Sequence, residues 1–410
     1  MSEKLAEVYD RYDMDILSTK KGRGATILTT TDGLCILEPF RGNVTRLEQE
    51  YVLKQLFIQE GFENVDYLIS NKDGMLLTCD RYRQPFVLKK YFEGSECDMY
   101  NPSSILRGVK VLAVFHKYGK KVAIRFGEAW KQSQKDKEIR RIEEIKHALE
   151  DGEELEKISH VYEISERILE EILNMSKQNM KTEEIANKIE SEKMGKCKQE
   201  LSSQEREKDI EDVFIRHNQE LKKIQKFISK VKRKNAFENL FLQVFSEYYQ
   251  QGKECVQMMA DIIQKENGAA TRQVYENHYG ICHGAYNQHN VIMGSGYEAI
   301  VHFERFSKGN QIDDLYQFAR KVMEKNHFDF DLLEQIFDMY HQIIPLSKED
   351  YQYMYILFSY PEKFWKIANS YYNTNKAFLS PKYIEKLKNV ILQEREKRKM
   401  LSEYFTFHLC

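Results

Sequence analysis

The stretch ICHGAYNQHNVIM, residues 281–293, decides how this chain is read. A short apolar lead-in reaches His283-Gly284, an asparagine follows at 290, and apolar residues resume at once. A phosphoryl-transfer site keeps its proton acceptor and one metal ligand on a loop of this kind, the acceptor an aspartate and the ligand an asparagine a few residues on. Here the aspartate position is Ala285. A methyl group accepts no proton, and a general base is typically worth about 10² to 10⁴ in rate. His283 and Asn290 are retained, and loop hydrogen bonds alone can account for both.

Two other positions belong to the same chemistry. A small-lobe strand should carry a lysine for the α- and β-phosphates, paired with a glutamate of the next helix. CILEPF (35–40) puts Glu38 in the lysine's place, and Glu48 and Glu50 on the following helix then face another acid. At about 4 Å and an effective dielectric near 20, one opposed charge pair is worth on the order of 4 kcal/mol, so the exchange turns attraction for phosphate into comparable repulsion. The second position is a metal-binding aspartate at the end of a buried strand. EAIVHFERF (298–306) has His302 there. Magnesium wants oxygen ligands in octahedral geometry, which imidazole does not supply. One such change is compatible with a variant mechanism; three point to a retired active site.

Upstream, ATILTTT (25–31) and LCILEPF (34–40) flank Asp32-Gly33, a hairpin signal. TRLEQEYVLKQLFIQEG (45–61) sets Leu47, Tyr51, Leu53, Leu56 and Phe57 on one helical face, with Gly61 to close it. Two further strands are expected, DYLISNKDGMLLTCD around the Asp73-Gly74 turn and FVLKKYFEG ending at Gly94. This is the plan of a small antiparallel lobe with one helix, residues 1–94, linked to a larger, mainly helical lobe, 95–410. SSILRGVKVLAVFHKYG (103–119) begins the helical part. A charged tract follows over about 131–212, in which Ile139, Ile142, Ile145, Leu149, Leu155, Ile158, Tyr162 and Leu169 recur at helical spacing. That stripe either packs a helical insertion on the body or forms a coiled-coil-like seam for a protein partner. The last hundred residues alternate aromatic-rich helices whose tyrosines and phenylalanines read as core.

Composition narrows the classes. Sixty-two basic against 64 acidic residues give no overall electrostatic case for nucleic acid. Seven scattered cysteines, without a C-x-x-C pair, argue against a zinc module or a complete disulfide framework and favour a reducing compartment. The charged beginning MSEKLAEVYDRYDMD lacks a signal-peptide core, and no stretch approaches the roughly 20 apolar residues of a membrane helix. The expectation is a protein soluble when made.

ICHGAYNQHNVIM, QIDDLYQFARKVMEKN (311–326) and above all LFSYPEKFWKIANSYYNTNKAFLSPKYIEKL (357–387) resemble the CotS-like spore coat proteins of endospore-forming bacteria, themselves similar to aminoglycoside and choline kinases. KYFEGSECDMYNPSSILRGVKVLAVFHK (90–117) resembles that family's hinge and first large-lobe helix, whereas 131–212 matches poorly. The resemblance implies a protein kinase-like two-lobed α+β fold and a role in the spore coat or its assembly. Family members commonly carry aspartate at the position of Ala285 and lysine at that of Glu38.

The leading expectation is therefore a non-catalytic coat component, made in the mother-cell cytoplasm and then placed in the spore coat by contacts with other coat proteins, with no cofactor and no membrane insertion. The alternative is a phosphotransferase on a small hydroxylated or sugar-like coat component, using ATP and magnesium in a rearranged site. Asp313 or Asp314 would then be the base, and Lys20, Lys21 or Arg23 would replace the lysine. Both aspartates stand just before a helix, where capping is the competing role.

Overall fold

The computed structural model describes residues 5–22, 24–162, 164, 166–178, 180–194, 210–265, 277–373 and 381–409. The chain divides into two compact units, one of residues 1–124 with 208–410, the other of 125–207.

The first unit opens with a short helix α1 (Ala6–Tyr9) and strands β1 (Ile16–Lys21), β2 (Thr26–Thr30) and β3 (Gly33–Pro39). Thr30 pairs with Gly33, so the hairpin expected at Asp32-Gly33 forms. Helix α2 (Val44–Gln59) starts on Asn43, whose side chain accepts from the Arg46 amide, and buries Leu47, Leu53, Leu56 and Phe57 as its spacing requires. Fully burying one such side chain is worth about 1.5–3 kcal/mol. The strands after it are shorter than expected. β4 (Leu68–Ile69) and β5 (Thr78–Cys79) do not pair with each other across Asp73-Gly74; both pair with β6 (Pro85–Lys90), in a sheet ordered β1-β2-β3-β6-β4. The turn closes on Asn71, whose carboxamide oxygen accepts from the Asp73 and Met75 amides. Val8, Tyr9 and Tyr12, in the segment read from sequence only as charged, pack on Leu28, Leu37 and Leu88.

β7 (Ser95–Glu96) leads into α3 (Pro102–Glu150), one helix of 49 residues. It runs through Gly119 unbroken. A Cβ there would stand 2.9 Å from the Gln311 amide nitrogen and 3.0 Å from the Ile281 carbonyl oxygen, so this glycine marks a close approach and not a helix end. The helical part continues with α7 (Ile210–Lys230) and α8 (Ala236–Lys265). Three short pairings follow: β8 (Tyr279–Cys282) with β11 (Ser307–Asn310), and β9 (Val291–Met293) with β10 (Glu298–Ile300) and with β7. The segment 283–290 is thereby held between β8 and β9. Helices α9 (Ile312–Lys325), α10 (Phe330–His341), α11 (Lys348–Ser359), α12 (Glu362–Asn373) and α13 (Lys382–Leu409) complete the unit. Their aromatics are core, with Tyr340, Tyr360, Tyr404, Phe337 and Phe358 fully buried.

The second unit contains the end of α3 with α4 (Leu155–Tyr162), α5 (Glu166–Lys177) and α6 (Thr182–Met194). Ile142, Ile145, Ile158, Leu169, Ile172, Ile185 and Ile189 form a core of its own. The apolar stripe is the core of this unit, closed over by its own helices.

Candidate functional site

The loop 283–290 is held from beneath. The Asp314 carboxylate accepts from the backbone amides of His283 at 2.6 Å and Gly284 at 3.0 Å, and lies 3.4 Å from His116 Nε2. His116 Nδ1 in turn meets the Tyr340 hydroxyl at 2.8 Å. All three side chains are buried. Burial alone would push Asp314 up; the hydrogen bonds from His116 and the loop amide outweigh it and hold this carboxyl below its usual value.

His283 is also fully buried. Its Nε2 lies 3.0 Å from the Val301 carbonyl and its Nδ1 3.3 Å from the Ala285 amide, which assigns the proton to Nε2. Burial pushes its pKa down, so the ring is a neutral staple between the loop and the segment after β10. Gly284 has φ +71°, and a Cβ there would lie 2.1 Å from the Arg305 carbonyl oxygen, so only glycine fits. The Asn290 amide donates to the Ala285 carbonyl at 2.9 Å, as does that of Asn287 at 2.6 Å. The methyl of Ala285 remains where a proton acceptor would stand.

Asp313 and Asp314 do not cap α9. Gln311 is its N-cap, without a side-chain cap bond, and the Asn310 side chain takes the Ile312 amide. Asp313 accepts from the Tyr353 hydroxyl at 2.8 Å. Burial pushes it up to about 7, a value suited to a base, but its partner belongs to α11 and not to the loop. Asp314 is occupied by the loop backbone. Both candidate bases are thus engaged, Asp313 by Tyr353 and Asp314 by the loop backbone.

Above the loop lies a cluster of charges. Lys89 on β6 pairs in register with Ile36 of β3, and its ammonium, 5% exposed, lies 3.5 Å from Glu38 and 3.3 Å from Glu304. Beside it on α2, Lys54 is fully buried against Glu50 at 2.5 Å and Asp66 at 2.6 Å. Burial pulls Lys89 down, but the carboxylates of Asp66, Glu50, Glu304 and Glu38 more than reverse this and raise it above the ordinary lysine value. Glu50 is a helix acid that the fold brings into this cluster. Glu38 thus occupies the expected strand, while a cation stands beside it on the neighbouring one. Sequence reading missed Lys89, because it sought the lysine on one strand only.

His302 has φ +66°, rare for a side chain of its size. Its amide donates to Asp66 at 3.0 Å, and its Nδ1 lies 3.6 Å from Glu304. The bond to Glu304 raises His302. Burial pushes Glu304 up, but His302 and Lys89 outweigh that and hold it well below the carboxylate range. Arg46 of α2 closes this corner, donating to the carbonyls of Glu304 and Phe306 with its guanidinium 3.7 Å over the Phe306 ring. Lys20 and Lys21 are exposed at the end of β1 and make no ion pair among the described residues; Arg23 lies outside them.

A β-lobe followed by a mainly helical part that carries such a loop is the plan of a kinase-like phosphotransferase fold. Solved structures agree: an aminoglycoside phosphotransferase from Alicyclobacillus acidocaldarius aligns over 98% of this chain and 95% of its own, with TM-score 0.67 and 12% identity. Spectinomycin phosphotransferase APH(9)-Ia, in complex with ADP and spectinomycin, aligns over 97% and 99%, with TM-score 0.54 and 11% identity. At such identity the likeness is of fold alone. The chain belongs to the family described as "Spore coat putative kinase YutH", whose model matches residues 160–404. No curated protein matches it.

Proposed function

We propose that this protein is a non-catalytic, kinase-like component of the bacterial endospore coat that acts in coat structure or assembly through contacts with other coat proteins. On this reading it is made in the mother-cell cytoplasm and recruited to the spore. One observation carries the proposal: the acceptor position is the methyl of Ala285, and both nearby aspartates that could replace it are engaged elsewhere, Asp314 under the loop and Asp313 with Tyr353.

The residues present also fit a magnesium nucleotide poorly. Four carboxylates, Glu38, Glu50, Asp66 and Glu304, surround two ammonium groups, Lys54 and Lys89, so acids outnumber lysines in the cluster. Lys89 is neutralised by its own neighbours before any phosphate arrives. His302 offers nitrogen at the position of an oxygen ligand, and among the described residues no three acidic, histidine or cysteine side chains converge as a metal site.

Titration calorimetry with ATP and magnesium, together with transfer assays from labelled ATP to sugar and aminoalcohol acceptors, tests the reading. The expected result is no metal-dependent affinity tighter than about millimolar and no turnover. Micromolar, magnesium-dependent binding with repeated transfer to any acceptor contradicts it.

A further inference from the structure

The cleft leaves unexplained a block of positive charge elsewhere in the molecule. Residues 222–234, KKIQKFISKVKRK, hold seven cations, and no acid occurs from 221 to 237 in a chain of net charge −2. Helix α7 turns Leu221, Ile224 and Ile228 inward, so Lys222, Lys226 and Lys230 form an exposed ridge on its other side, extended by Lys223, Lys232 and Arg233. Lys234 differs, capping the helix end on the Ser229 and Val231 carbonyls. The six exposed cations have no ion-pair partner among the described residues. Solvated helix faces ordinarily mix signs, as α13 does where Arg398 pairs with Glu394 and Glu247. Within the ridge, Phe227 meets Tyr372 of α12 edge-on at 5.3 Å, and the two are 37% and 41% exposed.

The same chain carries a complement. The turn from α3 to α4, residues 150–156, reads EDGEELE, five carboxylates in seven residues, all exposed. Bonds from the Gly152 amide to the Leu149 carbonyl and from Glu153 to Ala148 fix the turn, so the acids are presented in a set array. Among the described residues, Asp151 pairs with His147 and Glu153 with Lys157, and the other three acids have no ion-pair partner.

We propose that these are the two halves of one interface, the acidic turn 150–156 of one copy docking on the basic face 222–234 of a second copy. The occupant follows from charge complementarity: five anions meet six cations, while two like patches brought together would repel. The Phe227–Tyr372 pair supplies the apolar centre and the lysines the polar rim. Because the two surfaces differ, the contact is head-to-tail, and unless its rotation closes a ring it continues as an open chain, the form an extended layer needs. The inference gives the proposed protein contacts a concrete shape but does not depend on the cleft. Failure to self-associate leaves the non-catalytic reading standing, and turnover in the cleft leaves the interface standing.

Sedimentation velocity on the full chain at about 0.1 M and about 1 M salt tests it, since the screening length falls from about 10 Å to about 3 Å between them. Concentration-dependent association is expected at low salt and its loss at high salt. The variants Lys222→Glu/Lys226→Glu/Lys230→Glu and Glu150→Lys/Glu153→Lys/Glu154→Lys should each weaken association by about ten-fold or more. The chain carrying both sets should regain it, because the complementarity is inverted but intact. Circular dichroism and melting of every variant verify folding, with Lys→Gln at the same three lysines as the milder form. A wild-type chain that stays monomeric at low salt overturns the proposal, as does a doubly reversed, folded chain that fails to associate. Binding to phosphatidylglycerol vesicles that the lysine variants abolish while self-association persists would assign the face to lipid instead.

Discussion

The underside of the loop 283–290 and the charged cluster above it have fared differently. Beneath, every polar partner is in place: Asp314 holds two amides, His116 holds Asp314, Tyr340 holds His116, and His283 ties the loop to Val301. Above, the positions that the proposed reading assigns to acceptor, cation and oxygen ligand hold Ala285, Glu38 and His302. The difference is one of burial. An unpaired buried polar group costs about 1–3 kcal/mol, more when charged, so the underside cannot change piecemeal without unfolding the loop. Half-exposed groups at the cleft are solvated after replacement and constrain the fold much less. On the proposed non-catalytic reading, this is how a kinase-like architecture outlasts kinase chemistry.

The sharpest test of this contrast is Asp314→Ala. Removing one member of a buried charged network typically costs about 3–5 kcal/mol, and here it also strands two loop amides. Urea denaturation should show a loss in that range. The folded-state pKa of Asp314 is depressed, so its contribution is present above the unfolded aspartate value and is lost as pH falls through the folded one. The gap between wild type and variant should therefore narrow on acidification. A loss below about 1 kcal/mol at neutral pH breaks the comparison, because it would mean the network is not what holds the loop.

Lys89→Met should cost less, on the order of 2 kcal/mol. The ammonium is buried, but Glu38 and especially Glu304 retain access to water and recover part of their hydration when it is gone. Glu304 is held below its usual value, so the pairing matters above the unfolded glutamate range and fades as pH falls. The penalty should shrink in acid. If Lys89→Met instead creates tight nucleotide binding, the cluster is a latch over a working pocket and the non-catalytic reading fails.

What could be read from the sequence followed local rules. Alternation gave β2 and β3, helical spacing gave α2, and the three altered positions lie within short motifs. Tertiary choices were not legible. Asp313 and Asp314 obey the rule for helix starts, yet one answers Tyr353 and the other two loop amides, donors that come from distant segments. Glu50, Lys54, Asp66, Lys89 and Glu304 lie on α2, beside β4, on β6 and after β10, and nothing in their spacing announces that they meet. The isoleucine stripe of 139–169 was visible, but what it packs on depended on α5 and α6 folding back over it. Asp73-Gly74 has the form of a hairpin turn, yet the strands beside it found β6 a better partner than each other.

The smallest expected effect runs in the opposite direction. His302 sits at φ +66°, where a non-glycine residue costs on the order of 1 kcal/mol, and its compensation is an exposed pairing with Glu304 of the kind worth about 0–1 kcal/mol. His302→Gly should thus be neutral or stabilising by up to about 1 kcal/mol. The pKa of His302 is raised by Glu304, so the pairing helps fully below the unfolded histidine value and is lost as pH rises through the folded one. The variant should gain on wild type as pH goes from acid to alkaline, a trend that thermal melts across the range would reveal. Substantial destabilisation at alkaline pH, where the imidazole is neutral and the pairing gone, would place His302 among the groups that hold the fold and erase the line drawn between cleft and underside.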